Sequence, residues 1–97
     1  MFKKLSLELG GKNASIVFDD CDMEKTVEGV TRAAFLNQGQ VCLCGSRILI
    51  QSGIYDEFVE AFVNSVESMK IGDPSDESTQ LGALISAAQL AKVESYV

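Results

Sequence analysis

NASIVFDDCDMEKTVEGVTRAAFLNQGQVCLCGSRILIQ, residues 13–51, changes its apolar period twice, and those two changes carry the fold. Its first eight residues, "NASIVFDD", are short, apolar and β-prone, which predicts a strand. From Asp22 onward Met23, Val27, Val30 and Ala34 fall at i, i+4, i+7 and i+11. That spacing puts them on one face of a helix, which Gly39 is suited to end. "RILIQ" (47–51) then reads as a buried strand. Strand, helix and strand in this order belong to an α/β layer in which helices cover a mostly parallel sheet.

The same reading extends outward. Leu5, Leu7 and Leu9 alternate with Ser6 and Glu8, predicting a further strand separated from the next by a Gly10-Gly11 hinge. Ile54, Phe58, Phe62, Val66 and Met69 predict a second amphipathic helix that stops before the turn "GDPSD". Ser86 with Gln89 three residues later predicts a capping box for a last helix on which Leu90, Val93 and Val97 share a face. The expected class is α/β: a partial, mostly parallel sheet with covering helices, and too few strands to complete it.

Composition removes several function classes. The chain has 97 residues, 46% of them apolar, which suits one small packed unit or a piece of a larger one rather than disorder. Its formal charge of −6 is dispersed, and no basic cluster extends past Lys3 and Lys4, so the footprint of a nucleic-acid binder is missing. No apolar run approaches a membrane span, and Met1 to Lys4 is not followed by the apolar stretch of a secretory signal, so the expected location is cytoplasmic. Three cysteines without a framework suit a reducing compartment, and Cys42 and Cys44 are too close for a relaxed mutual bridge. They are expected to be free thiols.

With no histidine anywhere, imidazole-based nucleophile activation and histidine-ligated zinc are both excluded. A thiolate is a strong nucleophile even at low population, and Cys42, beyond a helix end with Gly45 and Arg47 nearby, can act without an imidazole. The plainer reading of a cysteine is a small core hydrophobe, and Cys21 and Cys44 keep it. Glu8 stands between Leu7 and Leu9, where desolvation would suit a carboxylate to general-base work; its plainer reading is a solvated strand-end charge. Gly10-Gly11 lacks the glycine spacing of a phosphate-binding loop. A lone C-x-C is a weak metal signal, and no metal site is expected. Its short spacing also disfavours a thiol redox module.

"LELGGKN" (7–13) and "FLNQGQVC" (35–42), with Cys42 standing 34 positions after Glu8, resemble the paired signature of the NAD(P)-dependent aldehyde dehydrogenase superfamily. The resemblance continues through "SRILIQ", "IYDEFVEAFV", "GDPSD" and "GALIS", from Lys3 to Val97. Within it, "KKLSLELGGKN" and "NQGQVCLCGSR" are most similar to the 2-aminomuconic and hydroxymuconic semialdehyde dehydrogenase branch. Residues 1–97 would then be a partial catalytic domain: general-base strand, nucleophile loop and the strand-helix units after them. The resemblance implies that Cys42 attacks a small-molecule aldehyde, giving a thiohemiacetal and then a thioester, with the Cys42 N–H contributing to the oxyanion site. It also implies that Glu8 activates the water that releases a carboxylic acid, and that Leu9 lies by the cofactor, NAD or NADP with NAD favoured. Ala14 and Ala83 stand where many members carry proline, which bears on turn geometry. The family draws its oxyanion asparagine, most of its cofactor site and its oligomerising strands from outside this stretch. The full-length form is therefore expected to be a homo-oligomer, and the isolated 97-mer inactive. The alternative is a non-catalytic short product that associates with full-length subunits.

Overall fold

The computed structural model describes residues 2–97; Met1, where the stretch read for a secretory signal begins, lies outside them. Strand β1 (Ala14–Val17) is followed by helix α1 (Met23–Phe35), strand β2 (Arg47–Ile50), helix α2 (Tyr55–Glu67) and helix α3 (Ala87–Glu94). A short 3₁₀ turn covers Ser52–Ile54, and a tight turn with positive φ at residues 37–39 follows α1. β1 and β2 pair in parallel, Ala14 opposite Arg47 and Val17 opposite Ile50, with α1 as the connection between them. This is the partial α/β unit expected.

Strand alternation sorts the sheet into two faces. Val17 is buried, and Ile48 and Ile50 pack with it against the core. Ile16 and Leu49, one residue out of phase, remain 61% and 51% exposed. The "RILI" strand expected to be buried is thus covered on one side only, because the helices α1 and α2 lie on a single face. Val27 and Val30 of α1 meet Phe58 of α2, which is fully buried, and Met23, Ile54, Ala61 and Phe62 close around them. The rings of Phe58 and Phe62 stack at 6.0 Å between centroids, and Phe35 extends the stack at 6.2 Å from Phe62. Burying one such ring contributes about 2–3 kcal/mol, which makes Phe58 the centre of helix docking. Thr31, the buried polar residue of this interface, donates its hydroxyl proton to Ser65 Oγ at 3.1 Å.

The helix starts obey local chemistry. Asp22 caps α1 by accepting from the Lys25 N–H at 3.2 Å, and its carboxylate pairs with Lys25 Nζ at 2.8 Å. These contacts hold the Asp22 carboxyl below its ordinary value, the side-chain bond to Lys25 contributing most. Ser86 caps α3 by accepting from the Gln89 N–H at 3.1 Å, half of the expected capping box. Asp56 and Glu57 occupy the first turn of α2, where the N–H dipoles favour negative charge.

Three expectations are corrected. Residues 2–13 form no strand, and Leu5, Leu7 and Leu9 are exposed, because an alternating pattern becomes a strand only when a sheet edge accepts it. Met69 lies past the end of α2 and Val97 past the end of α3, since both helices close about a turn earlier than the apolar stripes. An isolated parallel bridge, Ile71 with Leu81, joins the segments flanking the "GDPSD" loop. Among the described residues, no helix is long and apolar enough to cross a membrane.

Candidate active site

The loop that carries Cys42 begins with a reversal of backbone hand. Asn37, Gln38 and Gly39 have φ of 51°, 58° and 72°, a left-handed turn that stops the helical path after α1. Only Gly39 adopts this without a steric cost, and a β-carbon there would stand 3.2 Å from the Ala34 carbonyl oxygen. Gln40 Oε1 accepts the Ile85 N–H at 3.2 Å, so the turn is tied to the segment leading into α3.

From Val41 the chain turns again, with the Cys44 N–H donating to the Val41 carbonyl at 3.0 Å. Cys42 is exposed at this turn, whereas Cys44 is buried, 9% exposed, with its Sγ 3.9 Å from the Leu36 carbonyl oxygen. Cys42 is open to solvent, and Cys44 packs as a small hydrophobe. All three cysteines are free, Cys21 half-buried against the core. Gly45 then passes so close to β1 and α1 that its N–H bonds the Ala33 carbonyl at 2.9 Å.

The "GGKN" segment is laced to this loop from the other side. Asn13 Nδ2 donates to the Cys42 carbonyl at 2.7 Å and to the Cys44 carbonyl at 3.3 Å. Gly11 lies so near that a β-carbon would stand 3.1 Å from the same Cys42 oxygen. The Arg47 N–H donates to the Asn13 carbonyl at 3.2 Å, and Arg47 Nε to the Lys12 carbonyl at 3.1 Å. The structure therefore joins the two motifs through residues 11–13 and 42–47. Arg47, expected as a cation beside the thiol, is engaged in this lacing.

Glu8 is five residues before Asn13, on an exposed segment that belongs to no helix or strand. The desolvation expected from its leucine neighbours is absent, because Leu7 and Leu9 are themselves exposed and bury nothing around it. Among the described residues no hydrogen bond joins Glu8 to Cys42, and no group of three Cys, Asp or Glu side chains stands together as a metal would need. Sequence reading missed Asn13 and Gln40 as loop anchors. Both lie inside the quoted motifs, but a side-chain amide carries no periodic signal, so its partners emerge only once the loops are folded together.

The family model described as "Aldehyde dehydrogenase family" matches residues 1–97. The chain is 54% identical over 95 residues to mouse 2-aminomuconic semialdehyde dehydrogenase, covering 98% of this chain and 20% of that protein. It superposes with a TM-score of 0.89 and 44% identity on betaine aldehyde dehydrogenase from Staphylococcus aureus in complex with NAD+, over 92% of this chain and 18% of that one. An E. coli NADP dependent enzyme gives a TM-score of 0.89 at 45% identity, over 97% and 20%. The chain thus spans about a fifth of the length of the proteins it matches. Family match, identity and superposition agree with the paired glutamate and cysteine motifs, and the chain belongs to the aldehyde dehydrogenase family.

Proposed function

We propose that residues 1–97 form part of an aldehyde dehydrogenase catalytic domain and supply the nucleophile and the general base for oxidation of an aldehyde to a carboxylic acid. The observation that carries this reading is the presentation of Cys42: an exposed thiol on a turn pinned by Asn13 to the segment bearing Glu8. Cys42 adds to the aldehyde carbon, and the Cys42 N–H stabilises the oxygen as charge develops on it. When bound, NAD(P)+ would supply the hydride acceptor, and the Cys42 thiohemiacetal would become a thioester on the same sulfur. Glu8 takes a proton from water as that water attacks the thioester, releasing the acid and restoring the thiol. The exposed segment suits this role once the substrate and the rest of a catalytic domain surround it.

Leu9 fits a cofactor contact. Leu9 is 70% exposed on backbone that belongs to no strand, so its apolar surface is open to a planar aromatic amide. NAD is the preferred cofactor and a semialdehyde the preferred substrate, supported by the NAD+ complex and the mouse enzyme to which the chain is similar. We place the protein in the cytoplasm, in keeping with three unbridged thiols, and its full-length assembly as a homo-oligomer.

The test replaces the matching segment of the mouse enzyme with residues 1–97. The graft should form NADH with a semialdehyde, lose turnover with Cys42→Ser and keep most of it with Cys44→Ser. Retained turnover in Cys42→Ser, or its loss in Cys44→Ser alone, would remove Cys42 from the mechanism.

A further inference from the structure

We propose that Asn13 is a positioning residue for Cys42: its side-chain amide bridges the Cys42 and Cys44 carbonyls and fixes the direction in which the thiol is presented. The inference rests on the reading of Cys42 as the nucleophile. A primary amide nitrogen carries two protons, and Asn13 Nδ2 faces two carbonyl oxygens, at 2.7 Å on Cys42 and 3.3 Å on Cys44. Because peptide units are planar, holding those two oxygens restrains the Cys42–Leu43 and Cys44–Gly45 peptide planes. The path of the chain through Cys42 is then set from its carbonyl side.

Two further contacts make the bridge a clasp. Gly11, having no side chain, lets the "GGKN" segment lie close to the Cys42 oxygen, where a β-carbon would stand only 3.1 Å away. The Arg47 N–H and Nε hold the carbonyls of Asn13 and Lys12, so the segment cannot move off. Asn13 lies between these restraints and is the side chain that reaches the turn itself.

The donor role and a mere space-filling role predict opposite orders for two substitutions. Aspartate has the shape of asparagine but turns a carboxylate toward two carbonyl oxygens; alanine removes the contact. If the two donated bonds position the loop, Asn13→Ala in the graft should lower kcat about tenfold at nearly constant KM. Asn13→Asp should lower it further. In the 97-residue chain itself, iodoacetamide should modify Cys42 readily and the buried Cys44 slowly. Asn13→Asp should erase much of that difference by freeing the Cys44 carbonyl, without change in far-ultraviolet circular dichroism.

Asn13→Asp with wild-type kcat and wild-type Cys44 protection would overturn the proposal, as would a change confined to KM. Loss of fold in both variants would assign Asn13 a structural role and overturn it equally. Turnover that survives Cys42→Ser would instead refute the catalytic reading, whereas the Cys44 protection assay tests the clasp without reference to turnover.

Discussion

Gly45→Ala should destabilise the fold through one contact, and its partner can relieve it. A β-carbon at position 45 would stand 2.5 Å from Ser15 Oγ, well inside van der Waals contact, but 3.7 Å from Ser15 Cβ and 3.8 Å from Ala33 Cβ, which are ordinary separations. The clash is therefore with the hydroxyl alone. Gly45 is buried between β1 and α1, and its N–H bonds Ala33, so the loop has little freedom to withdraw. Overpacking of this kind costs about 1–3 kcal/mol. With a urea dependence of about 1–3 kcal/mol per molar for a small chain, the midpoint should fall by about 1 M, read by circular dichroism at low protein concentration. Ser15→Ala removes the hydroxyl, so the double variant Ser15→Ala/Gly45→Ala should recover most of the loss. If Gly45→Ala leaves the midpoint unchanged, the hydroxyl simply rotates aside and the packing argument is wrong. An unrecovered double variant would show that the cost lies in the backbone.

Glu8→Gln in the grafted enzyme should slow thioester hydrolysis more than acylation, so intact-protein mass spectrometry after mixing with aldehyde and NAD should reveal an acyl adduct. Wild-type turnover with no adduct would take Glu8 out of the mechanism. The Ser78 hydroxyl, Lys70 and the Ser78 N–H together hold the Asp76 carboxyl at about 2, below its ordinary 3.8. Because the folded value is the lower one, the favourable contribution is complete above 3.8 and disappears as pH falls through about 2. Carboxyl chemical shifts followed against pH should show this, and Ser78→Ala should move the titration upward; an unmoved midpoint would reject the hydroxyl as the main cause. Finally, the 97-residue chain alone should self-associate through the sheet face exposing Ile16 and Leu49, giving a sedimentation coefficient that rises with concentration. A monodisperse monomer would contradict this.

What local chemistry controls was legible in residue order. The α1 stripe of Met23, Val27 and Val30 and the cap at Ser86 depend on neighbours a few positions away, and each occurs where the pattern puts it, whereas α1 ends at Phe35, short of the expected stop at Gly39. The parallel sheet expected from strands alternating with helices is present as the β1–β2 pair. The motif pair was legible too, because residue types and their spacing are properties of the chain itself. The alternating leucines at 5, 7 and 9 misled for the complementary reason. Alternation encodes a face, but a strand needs a partner, and the described residues offer none.

By itself, then, the sequence determined the α/β class, the helix starts, the family and which thiol to watch. Only tertiary structure decided that Cys42 is exposed while Cys44 is buried, that Glu8 lies in the open, and that Asn13 reaches across 29 positions to the Cys42 carbonyl. The physical reason is range. Helix periodicity and capping are settled within a turn or two of chain, whereas burial and side-chain hydrogen bonding are set by whichever distant segments the packing of β1, α1 and α2 brings into contact.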